Sequence, residues 1–267
     1  MSLATEIPVS RNHPWGIYLV AAAVFAATVW YTIYSCREMS GGMAMPGGWV
    51  MSMMWMPMPG QSSLAAAEMF IAMWTAMMIA MMLPSAMPMI LVYRRVVTSR
   101  GATFPGLLSG LMIAGYFLVW AAFGAVTFII GAFLARLEMS SPSLSRQIPA
   151  IAGVTLILCG IYQWTPLKTS CLKHCQDPIS LMAGHLHGGW RGSLMLGLHH
   201  GLTCALCCWS LMVIQIILGM MSLWVMAGIA IVIAVEKMLP RGAAIARLFG
   251  TLAAAMGVVS LLHAVAL

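Results

Sequence analysis

The sequence predicts an all-α, polytopic membrane helix bundle of about seven transmembrane helices, built as one membrane domain over residues 1–267. Three observations carry that prediction. Of 267 residues, 62% are hydrophobic and only 7% charged, and the mean hydropathy is +0.95; long apolar stretches are the signature of membrane chains. Runs of about 17–25 predominantly apolar residues, the length that crosses a hydrocarbon core, recur seven times. Basic residues then collect on alternate connections, as they do in polytopic proteins.

The first span covers 16–34. It lacks a basic leader beyond Arg11, its apolar run is too long for a signal peptide, and no small-residue cleavage site follows, so it reads as a spanning helix. The second and third, 64–92 and 106–134, are long enough to tilt or kink. Pro84 and Pro88 in the second free backbone carbonyls and favour a kink. The fourth, 149–165, is short; the fifth, sixth and seventh cover 194–218, 221–236 and 243–265.

Arg11, Arg94, Arg95, Arg100, Lys168, Lys173, Arg191, Lys237, Arg241 and Arg247 fall on one side of these spans. Only Arg37, Arg136 and Arg146 fall on the other, a split of 10 against 3. The positive-inside rule therefore places the N-terminus inside and the C-terminus outside, in a multi-pass protein of the cell (inner) membrane. The same bias explains the net charge of +7 without a nucleic-acid partner; the expected surroundings are the lipid bilayer.

Seven cysteines are too few, and too often placed in spans, for a disulfide scaffold. Their pattern points to metal or redox chemistry. The fifth span carries His199 and His200, then Cys204, Cys207 and Cys208. On a helix His200, Cys204, Cys207 and Cys208 fall at i, i+4, i+7 and i+8 and share one face. Thiolate and imidazole form the soft donor set that selects Cu(I) or zinc. Ionisable groups within a bilayer are costly and read as functional by default. Cu(I) is the expected ion, since one helix cannot easily place the four tetrahedral ligands of Zn, the alternative. In the connection before it, Cys171 and Cys175 are four apart, a spacing that lets a helical turn bind a soft cation or form a redox disulfide. His185 and His187 follow as solvated loop residues, and Glu236 with Lys237 reads as a snorkelling pair at a helix end.

Methionine dominates the opposite side. The outer loop between the first two spans carries Met43, Met45, Met51, Met53, Met54, Met56 and Met58 among glycines and prolines that argue against a helix. A thioether binds Cu(I) without losing a proton and forms no disulfide, which suits metal capture in an oxidising compartment. The same loop, with Trp49 and Trp55, also suits a segment dipping into the headgroup region. In the second span Met73, Met77 and Met81 continue from Met69 at i+4 intervals, over about 18 Å. That stripe reads either as a metal path or as packing and lipid-facing side chains.

Several of these segments together resemble a bacterial family of predicted metal-binding integral membrane proteins of unknown function. They are Trp74 with Met77-Met78 and Met81-Met82-Leu83-Pro84, Pro166-Leu167-Lys168 with Cys171 and Cys175, the 197–212 stretch with Cys207-Cys208-Trp209, and Glu236-Lys237. The resemblance runs from the second span onward and implies metal binding, but neither a metal nor a reaction.

The expected function is a membrane protein that binds, and moves or hands over, Cu(I). Its outer methionines collect the ion and the Cys/His face of the fifth span holds it. A copper chaperone or a membrane copper enzyme is the partner such chemistry implies. No Walker A motif and no Asp-Lys-Thr-Gly motif is present, which argues against ATP-driven pumping by this chain. The alternatives are a membrane thiol oxidoreductase working through Cys171/Cys175 and Cys207/Cys208, and a copper-delivery assembly factor that transports nothing.

Overall fold

The computed structural model describes residues 15–38, 41–46, 48–57, 60–177 and 189–266. Eight helices occur among them: α1 (Trp15–Glu38), α2 (Ser63–Ser99), α3 (Pro105–Ser140), α4 (Pro142–Tyr162), α5 (Pro166–Gln176), α6 (Gly189–Gly219), α7 (Leu223–Met238) and α8 (Gly242–Ala266). All seven expected spans are helical. Six are long and apolar enough to cross a membrane. The other, α7, has 16 residues, about 24 Å at 1.5 Å per residue.

The helices mostly overrun the expected boundaries. α2 continues through Arg94 and Arg95 to Ser99 because Tyr93 and Val97 keep its inner face buried. Pro84 and Pro88 sit inside this one uninterrupted helix. α4 begins at Pro142, seven residues early, with a proline in the first turn where no N–H is required. α5 falls where a loop was expected. The Thr165 hydroxyl accepts from the Lys168 N–H at 3.3 Å and Pro166 follows at the first helical position; both are readable start signals.

The methionine loop is partly ordered as a hairpin. β1 (Gly42–Met45) pairs antiparallel with β2 (Trp49–Ser52), Gly42 opposite Ser52 and Met45 opposite Trp49. Gly48 in the turn has φ +76°, a conformation natural to glycine. The hairpin is clamped to α4: the Trp49 indole donates to the Ser145 carbonyl at 3.0 Å, and the Ser145 hydroxyl donates to the Pro46 carbonyl at 3.0 Å. Trp55 then lies over Gly131 of α3.

Aromatic and glycine contacts set the helix packing. Phe70 meets Phe128 and the Trp74 indole donates to the Trp120 carbonyl, so α2 and α3 run antiparallel. Gly197 of α6 rests on the Met112 carbonyl and Gly201 on that of Tyr116, which makes α3 and α6 parallel and closely packed. Gly153 and Gly160 of α4 meet Gly257 and Gly250 of α8 in antiparallel order. Small residues allow this approach where lipid supplies no hydrophobic drive between helices. Gly197→Leu is expected to force α3 and α6 apart and cost about 1–3 kcal/mol or more. A thermal midpoint in detergent equal to that of the wild type would contradict this packing.

Candidate metal centre

The helical spacing of α6 puts its cysteines into the core. Cys204, Cys207 and Cys208 are each 0% exposed and His200 is 6% exposed. Leu202 and Leu206 of the same helix face outward, as does His199. His200 stacks on Tyr116 with ring centroids 5.1 Å apart, and its buried Nδ1 has no hydrogen-bond partner among the described residues. Cys204 lies midway along α6, about 22 Å from Gly189 and from Gly219 at 1.5 Å per residue.

Four thiols form a chain of neighbours. Cys204 interacts with Cys208, Cys208 with Cys207, and Cys207 with Cys175 on α5. The fourth member therefore comes from α5, which packs across α6 and α7. Cys175 turns to Cys207 of α6. Cys171 stays half-buried against the same core. Burial raises its thiol pKa above the ordinary value, against the opposing pull of Lys168. All seven cysteines are free.

Two lysines reach this chain. Lys237 Nζ donates to Cys204 Sγ at 2.8 Å, and Tyr116 Oη lies 3.0 Å from the same sulfur. Lys168, 0% exposed, donates to the Cys207 carbonyl at 2.8 Å and to Glu236 Oε2 at 2.7 Å. Burial works against the charge on Lys168, while Cys207, Cys208 and Glu236 work for it; the balance leaves its pKa above that of an ordinary lysine. Gln176 closes the assembly by donating to the carbonyls of Glu236 and Leu239 at 2.8 and 3.0 Å.

Glu236 and Lys237 are thus not a snorkelling pair at a wet helix end. Glu236 is 1% exposed and ion-paired to Lys168 across 68 residues of sequence, and Lys237 turns to a sulfur. Tyr116 and Lys168 carry no signal of such roles in the sequence, since packing alone selects them.

The α2 methionines face inward. Met73, Met77, Met78, Met81 and Met82 are at most 4% exposed, whereas Met69 is half exposed. Gln215 of α6 donates to Met77 Sδ at 3.3 Å. One continuous buried cluster joins Met54, these methionines, Met112, Met212, Met226 and the three α6 cysteines. The hairpin methionines divide: Met43 and Met53 are exposed, Met56 is half-buried, and Met45 and Met51 form a separate small cluster with Ala135. Met58, His185 and His187 lie outside the described residues.

Among the described residues no group of three or more His, Cys, Asp or Glu side chains closes around a single point as a metal cage. The thiols are neighbours in successive pairs, Cys204–Cys208, Cys208–Cys207 and Cys207–Cys175. That geometry fits a soft ion of low coordination number better than a tetrahedral one.

No curated protein and no solved structure matches this chain. A family model described as PpoB2, copper chaperone, matches residues 71–260. The match leaves out α1 and the hairpin. It takes in all four neighbouring thiols, both lysines and Glu236, and by that match the chain belongs to the PpoB2 copper chaperone family.

Proposed function

We propose that this protein crosses the cell membrane seven times, N-terminus inside, and hands Cu(I) to a copper-requiring acceptor through the thiol chain Cys204, Cys208, Cys207 and Cys175. The observation that carries the reading is the Lys237 ammonium on Cys204 Sγ, 2.8 Å away, beside the fully buried Cys207 and Cys208. Cu(I) held by two thiolates has net charge −1, and a buried charge needs a partner. Lys237 beside the Cys204 sulfur supplies it, while the charge of Lys168 is matched by Glu236. Hydrogen bonds from Lys237 and Tyr116 orient the ligand sulfur as outer-shell donors do in metal sites.

Paired thiols suit stepwise exchange: the ion gains the next sulfur before it leaves the last. His200, stacked beside Tyr116, is the neutral donor at the Cys204 end. Upstream, exposed Met43 and Met53 are the first thioethers an arriving ion meets. The buried run through Met73, Met77 and Met81 leads from the hairpin end to the thiols. Thioethers bind without proton release and thiols with it, so affinity at the thiol end rises with pH. The family's description as copper chaperone supports handover over transport.

The test is the metal content of anaerobically purified protein, wild type beside a Cys204→Ser/Cys207→Ser/Cys208→Ser variant. Near-stoichiometric copper in the wild type alone is the expected result. Bound zinc, or equal copper in both proteins, would overturn the assignment. The contact between Cys175 and Cys207 also favours a second reading, a thiol oxidoreductase that cycles this pair between dithiol and disulfide. Trapping of cysteine redox states in cells separates the two, since an oxidoreductase must show the disulfide during turnover.

A further inference from the structure

A cavity of about 1360 Å³ opens at the hairpin end of the bundle, between α3, α4, α6 and α8. The hairpin roofs it with Trp49, Met51 and Trp55, and its walls are apolar side chains such as Ile130, Leu134, Ile151 and Leu252. The cavity is half open at the side of the bundle, and its apolar lining gives room for an apolar occupant. It exceeds the roughly 300–1,000 Å³ typical of small-molecule pockets.

Its depth identifies the occupant. On α3 the lining runs from Phe123 to Glu138, about 22 Å at 1.5 Å per residue. That is one leaflet with its headgroups, half of a bilayer about 40–45 Å thick. Glu138 sits two residues from the end of α3, at the headgroup level of such a leaflet. It is 8% exposed, lines the cavity, and makes no hydrogen bond or ion pair among the described residues. At the mouth of an apolar chamber a carboxylate keeps its charge only beside a cation, and without one it shifts toward its neutral form. Arg136 and Arg146 lie nearby in sequence, yet neither pairs with it.

We infer that this cavity seats one phospholipid with a primary ammonium headgroup, its acyl chains along the apolar walls and its ammonium on Glu138. Phosphatidylethanolamine has that chemistry, and an anionic headgroup such as phosphatidylglycerol is repelled by the same carboxylate. The inference is independent of copper, because Glu138 lies 22 residues, about 33 Å, along α3 from Tyr116 at the thiols.

The experiment reconstitutes the full chain in vesicles of equimolar phosphatidylethanolamine and phosphatidylglycerol, re-extracts it in mild detergent, and counts retained lipid by native mass spectrometry. The wild type should keep about one phosphatidylethanolamine per chain. Glu138→Gln should lower that retention at least about tenfold, and Glu138→Asp should preserve it. Ala152→Phe, which fills the cavity without touching the carboxylate, should remove both lipids. Helix content and thermal midpoint in detergent identical to wild type in Glu138→Gln establish that the variant is folded. No retained lipid in the wild type, or equal retention of the two lipids with Glu138→Gln unchanged, overturns the inference.

Discussion

Lys168→Met is expected to be the most damaging single substitution in the protein, costing about 3–5 kcal/mol of stability. It strips Glu236 of its only ion-pair partner among the described residues, where both side chains are 1% exposed. Removing one member of a buried pair leaves an uncompensated charge, whereas replacing both with apolar groups is often neutral or stabilising by about 1–4 kcal/mol. Lys168→Met/Glu236→Leu should therefore recover most of the loss. Unfolding in detergent, read as a double-mutant cycle, checks this. Additive losses from the two single variants would mean that the 2.7 Å contact carries no coupling energy.

Cys204→Ser with Cys207→Ser should weaken Cu(I) binding by more than about 100-fold. Loss of outer-shell partners alone costs about 10–100-fold in metal sites, and these are the proposed ligands themselves. The pair removes one sulfur from each end of the α6 thiol trio, so Cys208 keeps no thiol neighbour on its own helix. Cys175→Ser should behave differently. It keeps the α6 thiols intact, so equilibrium affinity stays near that of the wild type while transfer to an external Cu(I) chelator slows. Titration against a chelator of known affinity, followed by stopped-flow transfer, separates the two effects. Wild-type affinity in the double variant would refute the thiol assignment.

Six of the helices were legible because their apolar runs exceed what a soluble core requires, and the burial of α6 followed from a spacing of i, i+4, i+7 and i+8. That face is buried as expected, and His199 falls off it for the same angular reason. The inward turn of Met73, Met77 and Met81 was not legible. A methionine stripe is equally compatible with lipid and with core, and only packing decides. The pairing of Lys168 with Glu236 was hidden for a related reason. Lys168 is one more basic residue in a connection until α5 folds across α6 and places its Nζ 2.8 Å from the Cys207 carbonyl. α5 itself had signals, Thr165 and Pro166, that an apolar-run count passes over. The hairpin had almost none, because its strands are four residues each.

α7, at about 24 Å, is shorter than a hydrocarbon core of about 30 Å. A short helix beside long ones draws the leaflet surface down toward its end, a dimple whose cost is fractions of a kcal/mol per ångström. That end carries Glu236 and Lys237, at the level of Cys204. Cu(I) bound at Cys204, as proposed, would then be deep within the protein yet shallow within the membrane, and an acceptor docking over α5 would not have to cross half a bilayer.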